Sequence, residues 1–378
     1  MIKIIGQNYI WNKLLSVYKK KRVANAYLFY GPEGTGKEGI SIKFSALLNC
    51  ENEISSPCGS CNSCLKVYGF QHANISLITP LPKEKTLNKE DSPNKALSNK
   101  TLDLIGDLSK EKIKNPYLRI NIPNANTILI NSIREIRKKI YLKSFEKGFK
   151  CILIFEAEKL MSNQGESANA LLKILEEPPQ NSIFILCTQF PNKLSHTIKS
   201  RCQSIYFPVL ENDEIIDYLC KNHNIGEDKA QIISNLSYGN VKLANEIALN
   251  DFSEIKNLIL SLVKDITSSD VNWKKLISEF SKKYKTNPEE IKLNFKLLSF
   301  WFRDSFYATR FNDDSKLIFS SLAKEINLFS IKYPNANYSK ILKLIDISID
   351  NINKNIQLNL VLLNLMIDIN KNLNGTNK

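Results

Sequence analysis

The octapeptide "GPEGTGKE" (31–38) sits between an apolar, β-rich run, "AYLFY" (26–30), and a helix-forming run, "KEGISIKFSALLNC" (37–50). This order constrains the fold more than any other feature of the chain. A strand that enters a glycine-rich turn and leaves as a helix aims the N–H groups of the turn at one point, where the helix N-terminus favours an anion. Gly31, four intervening residues, Gly36 and Lys37 match the phosphate-loop spacing. The backbone of Gly34, Thr35, Gly36 and Lys37 would face the anion, and the Lys37 ammonium would reach the outer phosphates. A chance glycine turn is the alternative, and the strand–turn–helix setting disfavours it.

The next position departs from the pattern, because a Ser or Thr hydroxyl that would hold Mg²⁺ is replaced by Glu38. A carboxylate there brings negative charge toward phosphates that already repel one another, so ATP or ADP binding is expected to be weak or absent. A second departure lies in "ILIFEAEKLM" (152–161). Hydrolysis needs an acidic residue at the tip of a hydrophobic strand for Mg²⁺ and a neighbouring Glu for water. In one register Phe155 takes the metal position and Glu156 the next. Shifted by one, Glu156 is the metal acid and Ala157 the missing base. Either way one carboxylate is lacking, and the two departures together speak against hydrolysis.

Five nearly continuous apolar runs, "AYLFY" (26–30), "ISLITP" (75–80), "CILIF" (151–155), "SIFILCT" (182–188) and "SIYFPV" (204–209), alternate with helical patterns. They predict parallel strands buried on both faces and covered by helices. "PLPKEKTLNKEDSPNKALSNK" (80–100) reads as an exposed insertion or mobile loop, within an insertion of about 81–125. After Pro208 the pattern turns helical, with "NDEIIDYLCKNH" and "EDKAQIISNL" before "SYGN". Further on, "NPEEIKLNFKLLSFWFRDSF" and "NIQLNLVLLNLMIDINKNL" carry only helix signals, as in a bundle. The expected class is α/β, a P-loop domain over 1–207, then a small helical domain over 208–250 and an all-α domain over 251–378.

The formal charge of +14 favours polyanionic partners, nucleic acid first, although a Lys-rich background composition would produce the same surplus. The N-terminus lacks an apolar core followed by a small-residue cleavage site, and no stretch is long and apolar enough for a membrane span. The reading is therefore a cytoplasmic chain with no membrane partner, in which clustered thiols stay reduced and bind metal. "CENEISSPCGSCNSC" places Cys50, Cys58, Cys61 and Cys64 at C-x7-C-x2-C-x2-C. Four thiolates so spaced can close a tetrahedron around a structural Zn²⁺. Cys151, Cys187, Cys202 and Cys220 read as small buried hydrophobes, and the isolated His72, His196 and His223 receive no chemistry.

Taken in order, "IIGQNYI", "ANAYLFYGPEGTGKE", the four-cysteine module, "SANALLKILEEPP", "CTQFPNKLSHTIKSRCQ" and "YGNVKLA" resemble bacterial clamp-loader AAA+ subunits of DNA polymerase III, specifically across about residues 1–250. Within that family the chain is similar to the delta-prime type, whose nucleotide motifs are often degraded, more than to the gamma/tau motor type. The resemblance implies a five-stranded AAA+ domain with an inserted zinc module (about 50–64), a helical lid and a collar. It maps Gly31, Gly34, Gly36 and Lys37 onto Walker A, residues 155–158 onto Walker B, and Thr188 and Gln189 near sensor one. Lys242 falls at sensor two, where a point charge replaces a planar Arg.

The same resemblance makes Arg201 of "SRC" an arginine finger for a neighbouring subunit's ATP site. On the residues alone an Arg just before a strand reads first as a surface charge. "SANALLKILEEPP" is mostly ordinary helix packing. The basic run "REIRKKIYLKSFEKGFK" (134–150) reads as a solvated helix face or as part of a surface near DNA or a partner. The implied function is a non-hydrolysing subunit that helps load a sliding clamp onto primed DNA, with gamma/tau- and delta-type subunits as partners. The rivals are a gamma/tau-like active ATPase and, outside the loader, a general nucleic-acid-binding P-loop protein.

Overall fold

A computed structural model describes residues 4–52, 56–142, 146–249, 252–268, 270–286, 288–311, 314–353 and 356–375. The chain forms two compact units, one of Met1–Tyr218 with Ser237–Leu243 and the other of Leu219–Leu236 with Ala244–Lys378.

The first unit is built on five strands, β1 (Ala26–Tyr30), β2 (Ile75–Ile78), β3 (Lys150–Ile154), β4 (Ser182–Thr188) and β5 (Gln203–Tyr206). All pair in parallel, in the order β2-β3-β4-β1-β5. Its helices are α1 (Asn8–Lys19), α2 (Lys37–Leu48), α3 (Asn62–Tyr68), α4 (Asn99–Lys114), α5 (Ile130–Ile140), α6 (Glu166–Glu176) and α7 (His196–Ser200). Strand side chains alternate between two cores. Phe29, Leu153, Ile183 and Ile185 pack with Leu14 of α1, Phe44 of α2 and Val67 of α3. Leu28, Ile152, Ile154, Phe184 and Leu186 pack with Ile133 of α5, Leu171 of α6 and Ile198 of α7. A sheet so covered presents its strand tips, and the loops leaving them, as the place for a ligand.

Two expectations need correction. The outer strands are not buried on both faces: Gln203, Ser204 and Tyr206 of β5 are exposed and β2 is largely half-buried, because an edge strand has a partner on one side only. Nor is the stretch 80–100 simply exposed. Leu81, Ala96 and Leu97 are buried with Ile120, Ile122 and Leu129 in a small third cluster, which holds the insertion against the unit. Its polar residues serve as caps, Ser98 accepting from the Thr101 N–H to start α4. On α5, Ile133, Ile136 and Ile140 are buried and Arg137, Lys138 and Lys139 are exposed; residues 143–145 of the basic run lie outside the described residues.

The remaining helices are α8 (Asn212–His223), α9 (Glu227–Ser237), α10 (Val241–Leu249), α11 (Phe252–Thr267), α12 (Asp270–Thr286), α13 (Pro288–Ala308), α14 (Ala323–Lys332), α15 (Tyr338–Asn353) and α16 (Leu358–Leu373). In the second unit α13 is central, packed by α11, α12, α14 and α15 with Phe295, Trp301 and Phe302 buried. The face of α16 carrying Val361, Leu365, Met366 and Ile369 is buried, as its apolar spacing predicts.

Candidate functional site

The phosphate loop leaves the tip of β1, where the Gly31 N–H donates to the Thr188 carbonyl at the tip of β4 (3.3 Å). Gly34 and Gly36 take left-handed backbone angles, φ 72° and 84°. At Gly34 glycine is also a steric necessity, because a Cβ would lie 1.8 Å from Asn240 Oδ1. Gly36 starts α2, in the position that aims the first N–H groups of a helix at the loop's centre. Lys37, however, is folded back. Its ammonium donates to the Gly31 carbonyl (2.8 Å), the Pro32 carbonyl and Thr35 Oγ1 (3.3 Å), while Thr35 Oγ1 donates to Pro32 O (3.0 Å). Burial pushes the Lys37 pKa below its ordinary value, with Cys187 and the carboxylates of Glu38, Glu33 and Glu158 acting the other way.

Glu38 points into the site and is bonded by the Lys112 ammonium from α4. Lys112 is 1% exposed, donates also to the carbonyls of Pro116 (3.0 Å) and Leu118, and stands 5.5 Å from the centre of the Phe155 ring. Past β3, Glu156 adopts a left-handed conformation (φ 51°) and is bonded by Arg119, which also lies 3.8 Å from Glu33. Burial opposes the Arg119 charge, but the hydrogen bond and proximity to Glu156 outweigh it and raise its pKa. Glu158 accepts from Thr188 Oγ1 (2.5 Å), and Lys242 donates to Glu33 (3.1 Å). Glu33, Glu38, Lys112, Arg119, Glu156 and Glu158, with Lys37, Thr188 and Gln189, line a cavity of about 40 Å³, against roughly 300–1,000 Å³ for clefts that hold drug-sized ligands.

Of the nucleotide-motif residues singled out in the sequence, Gly34, Gly36, Lys37, Glu38, Glu156, Glu158, Thr188 and Gln189 line this cavity and Lys242 bonds Glu33 of its lining, whereas Ala157 is packed in the core. Two residues that matter equally were not foreseen, Lys112 and Arg119, both from the insertion. Lys112 had a signal: Ile105, Leu108 and Lys112 fall at helical spacing, which puts the lysine on the apolar stripe of α4. Arg119 follows the helix and carried no comparable signal.

Arg201 lies apart from this pocket, at the end of α7. Its guanidinium donates to Glu176 Oε1 of α6 (2.7 Å) and to the Thr197 carbonyl (3.0 Å), and the side chain is 35% exposed. Exposed pairs of this kind hold a side chain lightly, at about 0–1 kcal/mol.

The four cysteines form the second constellation. Cys50 follows α2, Cys61 caps α3 and Cys64 lies in its first turn; residues 53–55 lie outside the described residues. All four Sγ atoms fall within 4.8 Å of one another, and those of Cys58 and Cys64 are 3.9 Å apart. A tetrahedral zinc site with Zn–S bonds of about 2.3 Å has sulfurs about 3.8 Å apart, so the donor set fits the ion in number, chemistry and spacing. The Cys61 N–H donates to Cys58 Sγ and the Cys64 N–H to Cys61 Sγ, each at 3.3 Å, the outer hydrogen bonds that stabilise thiolates. N–H donation from Cys61 and Ser60 lowers the Cys58 thiol to about 5, while burial pushes Cys64 up.

Among the other cysteines, Cys151 and Cys187 are buried in strands as expected, and burial raises Cys151 to about 12; Cys202 and Cys220 are only half-buried. His72 is 3% exposed beside α3, its Nε2 3.0 Å from Ser63 Oγ and 2.9 Å from Glu146 Oε2. His223 bonds Asn245 (2.9 Å). Among the described residues no helix is long and apolar enough to cross a membrane.

A family profile described as "DNA polymerase III, delta subunit" matches residues 6–211. Curated relatives include DNA polymerase III subunit tau of Bacillus subtilis, 28% identical over 63% of this chain and 35% of its own length. Subunit gamma of Buchnera aphidicola is 30% identical over 64% of this chain and 55% of its own length. Subunit delta' of Bacillus subtilis is 27% identical over 66% of this chain and 61% of its own length. The chain therefore spans between 35% and 61% of the length of these relatives.

Proposed function

Since this chain belongs to the DNA polymerase III delta-subunit family of bacterial clamp-loader proteins, we propose that it is a cytoplasmic loader subunit of delta-prime type that does not hydrolyse ATP. In this reading residues 1–207 are the AAA+ domain, 208–250 a lid and 251–378 a collar that joins gamma/tau- and delta-type subunits. The complex would open a sliding clamp and place it on primed DNA. Zn²⁺ held by Cys50, Cys58, Cys61 and Cys64 would fix α3 to the end of α2, a structural role with no open position for chemistry.

One observation carries the reading: Glu38 and Glu156, the acids nearest the metal and water positions, are both bonded to cations of the same chain. A carboxylate held by a guanidinium is a poor base for water and a poor ligand for Mg²⁺. Arg201 is not among the residues lining the phosphate-loop cavity and is lightly held at the surface. It would enter a neighbour's site and stabilise charge on the transferring phosphoryl group, a contribution of about 10³–10⁵ in rate for such fingers.

The test is hydrolysis by the purified chain with Mg²⁺, ATP and primed DNA, beside Lys37→Ala. Turnover equal to that control is the expected result. In a reconstituted complex Arg201→Ala should leave assembly intact and lower DNA-stimulated hydrolysis at least tenfold, whereas unchanged turnover rejects the finger. The gamma/tau-like alternative draws on Lys37 being retained and on Glu158 lining the cavity. It requires Mg²⁺-dependent turnover by this chain that vanishes in Lys37→Ala.

A further inference from the structure

We infer that Lys112 and Arg119 decide what the phosphate-loop pocket accepts: these two cations of the insertion stand where a divalent ion would, and they exclude magnesium nucleotides. The inference rests on reading residues 31–38 as a nucleotide loop, and goes beyond it by assigning the exclusion to particular residues outside every nucleotide motif.

Lys112 meets both positions that would hold the metal. Its ammonium bonds Glu38, at the hydroxyl position of the loop, and lies 5.5 Å from the ring of Phe155, at the strand-tip acid position in the first of the two registers; Arg119 holds Glu156, the acid of the second. Its remaining two donors go to Pro116 and Leu118 carbonyls, so all three N–H bonds are spent inside the protein. Arg119 bonds Glu156 and lies 3.8 Å from Glu33, and Lys159 stands 3.8 Å from the same Glu156 oxygen. A divalent cation entering here would meet like charge from Lys112 and Arg119 and would find its ligands already paired.

The segment between these cations also covers the loop. A Cβ on Gly36 would lie 3.3 Å from the Tyr117 ring, and one on Gly39 would lie 3.0 Å from Pro116. The Tyr117 hydroxyl accepts from the Ile5 N–H (2.8 Å), which ties this cover to the chain before α1. Opening the pocket therefore means withdrawing a buried lysine from the Glu38 carboxylate, which holds the cation in place.

The experiment uses the full chain with ATP and Mg²⁺, read by calorimetric titration and by thermal shift. The wild type should show neither heat of binding nor a rise in Tm at millimolar Mg·ATP. The triple variant Lys112→Met, Arg119→Met, Glu38→Thr removes Lys112 and Glu38 together and frees Glu156, and should bind at least tenfold more tightly than Glu38→Thr alone, in a Mg²⁺-dependent manner. Arg119→Met alone, at a 28%-exposed side chain, should give a smaller gain and decides the matter if the triple variant does not fold. A wild-type Tm rise that Lys37→Ala abolishes would overturn the inference, as would folded variants that bind no better than wild type. Binding without hydrolysis by the wild type would reject this inference and leave the delta-prime reading standing. Hydrolysis would reject both.

Discussion

The phosphate-loop pocket and the cysteine centre lie at opposite ends of α2 and are organised in opposite ways. In the pocket, unlike charges are paired off: Lys112 with Glu38, Arg119 with Glu156, Lys242 with Glu33, and Lys37 with loop carbonyls. At the other end, four like donors converge within 4.8 Å and N–H groups are aimed at their sulfurs. Converging thiolates repel one another unless a cation neutralises them, whereas unlike charges neutralise each other. On the reading proposed above, the difference is that between a site built for a ligand and a pocket that excludes one. Motif residues alone do not separate the two, since the pocket keeps Gly31, Gly34, Gly36 and Lys37; what sets it apart is that Glu38, Glu156 and Glu33 are each bonded to a cation of the same chain, with the Arg119 Nε the one buried side-chain donor there, among the described residues, that has no partner.

The largest effect should follow from breaking the cysteine side of the comparison. Cys61→Ser with Cys64→Ser removes two of four donors, and structural zinc sites contribute about 10–16 kcal/mol of binding free energy at neutral pH. Elemental analysis should fall from about one equivalent of Zn²⁺ per chain to none, and Tm should drop sharply as α3 loses its link to the end of α2. A strong chelator should reproduce the drop in the wild type. Retained metal, or a variant melting with the wild type, would mean that the four sulfurs converge through packing alone.

Much of this contrast was legible in the sequence, and the part that was not has a physical cause. Cysteine spacing predicts a metal centre because local chain geometry sets the ligand distances, with Cys61 and Cys64 in one turn of α3. The five strands and the loop emerged from apolar runs and from glycines with left-handed angles. The edge character of β2 and β5 did not, because strand order comes from pairing between segments far apart in sequence. The insertion is the clearest case. Its composition, rich in Lys, Asn and Ser, suggests a loop, yet its few apolar residues, Leu81, Ala96, Leu97, Ile120 and Ile122, suffice to anchor it. The pairings of Lys112 with Glu38 and Arg119 with Glu156 join residues 74 and 37 positions apart, which no local pattern encodes. The Glu38 departure was visible as a defect, but its partner was not.

Next in size is a double-mutant cycle on the pocket. Lys112→Met leaves Glu38 without its partner at a site where Lys112 is 1% exposed, and breaking a buried pair from one side costs about 3–5 kcal/mol. Combining it with Glu38→Met should recover most of that loss, because both charges leave together. Urea unfolding of the four chains gives the coupling directly. Additive losses would show that the two side chains are not energetically joined, and the sharp distinction between pocket and cysteine centre would dissolve.

The smallest effect probes the rim of the cysteine module, where His72 touches Ser63 of α3 and Glu146. Burial lowers the His72 pKa below its ordinary 6.5, and Glu146 only partly opposes the shift. Between the folded value and 6.5 the unfolded chain binds more protons than the folded one, so stability rises with pH through that window and is lost as pH falls below about 6.5. His72→Gln cannot take up the proton. Denaturation at pH 7.5 and 5.5, with metal content matched by elemental analysis so that the zinc contribution cancels, should show the wild type losing more stability than the variant. Parallel losses would assign the acid sensitivity of this end of α2 to the thiolates alone, and would leave metal binding as the whole of its difference from the pocket.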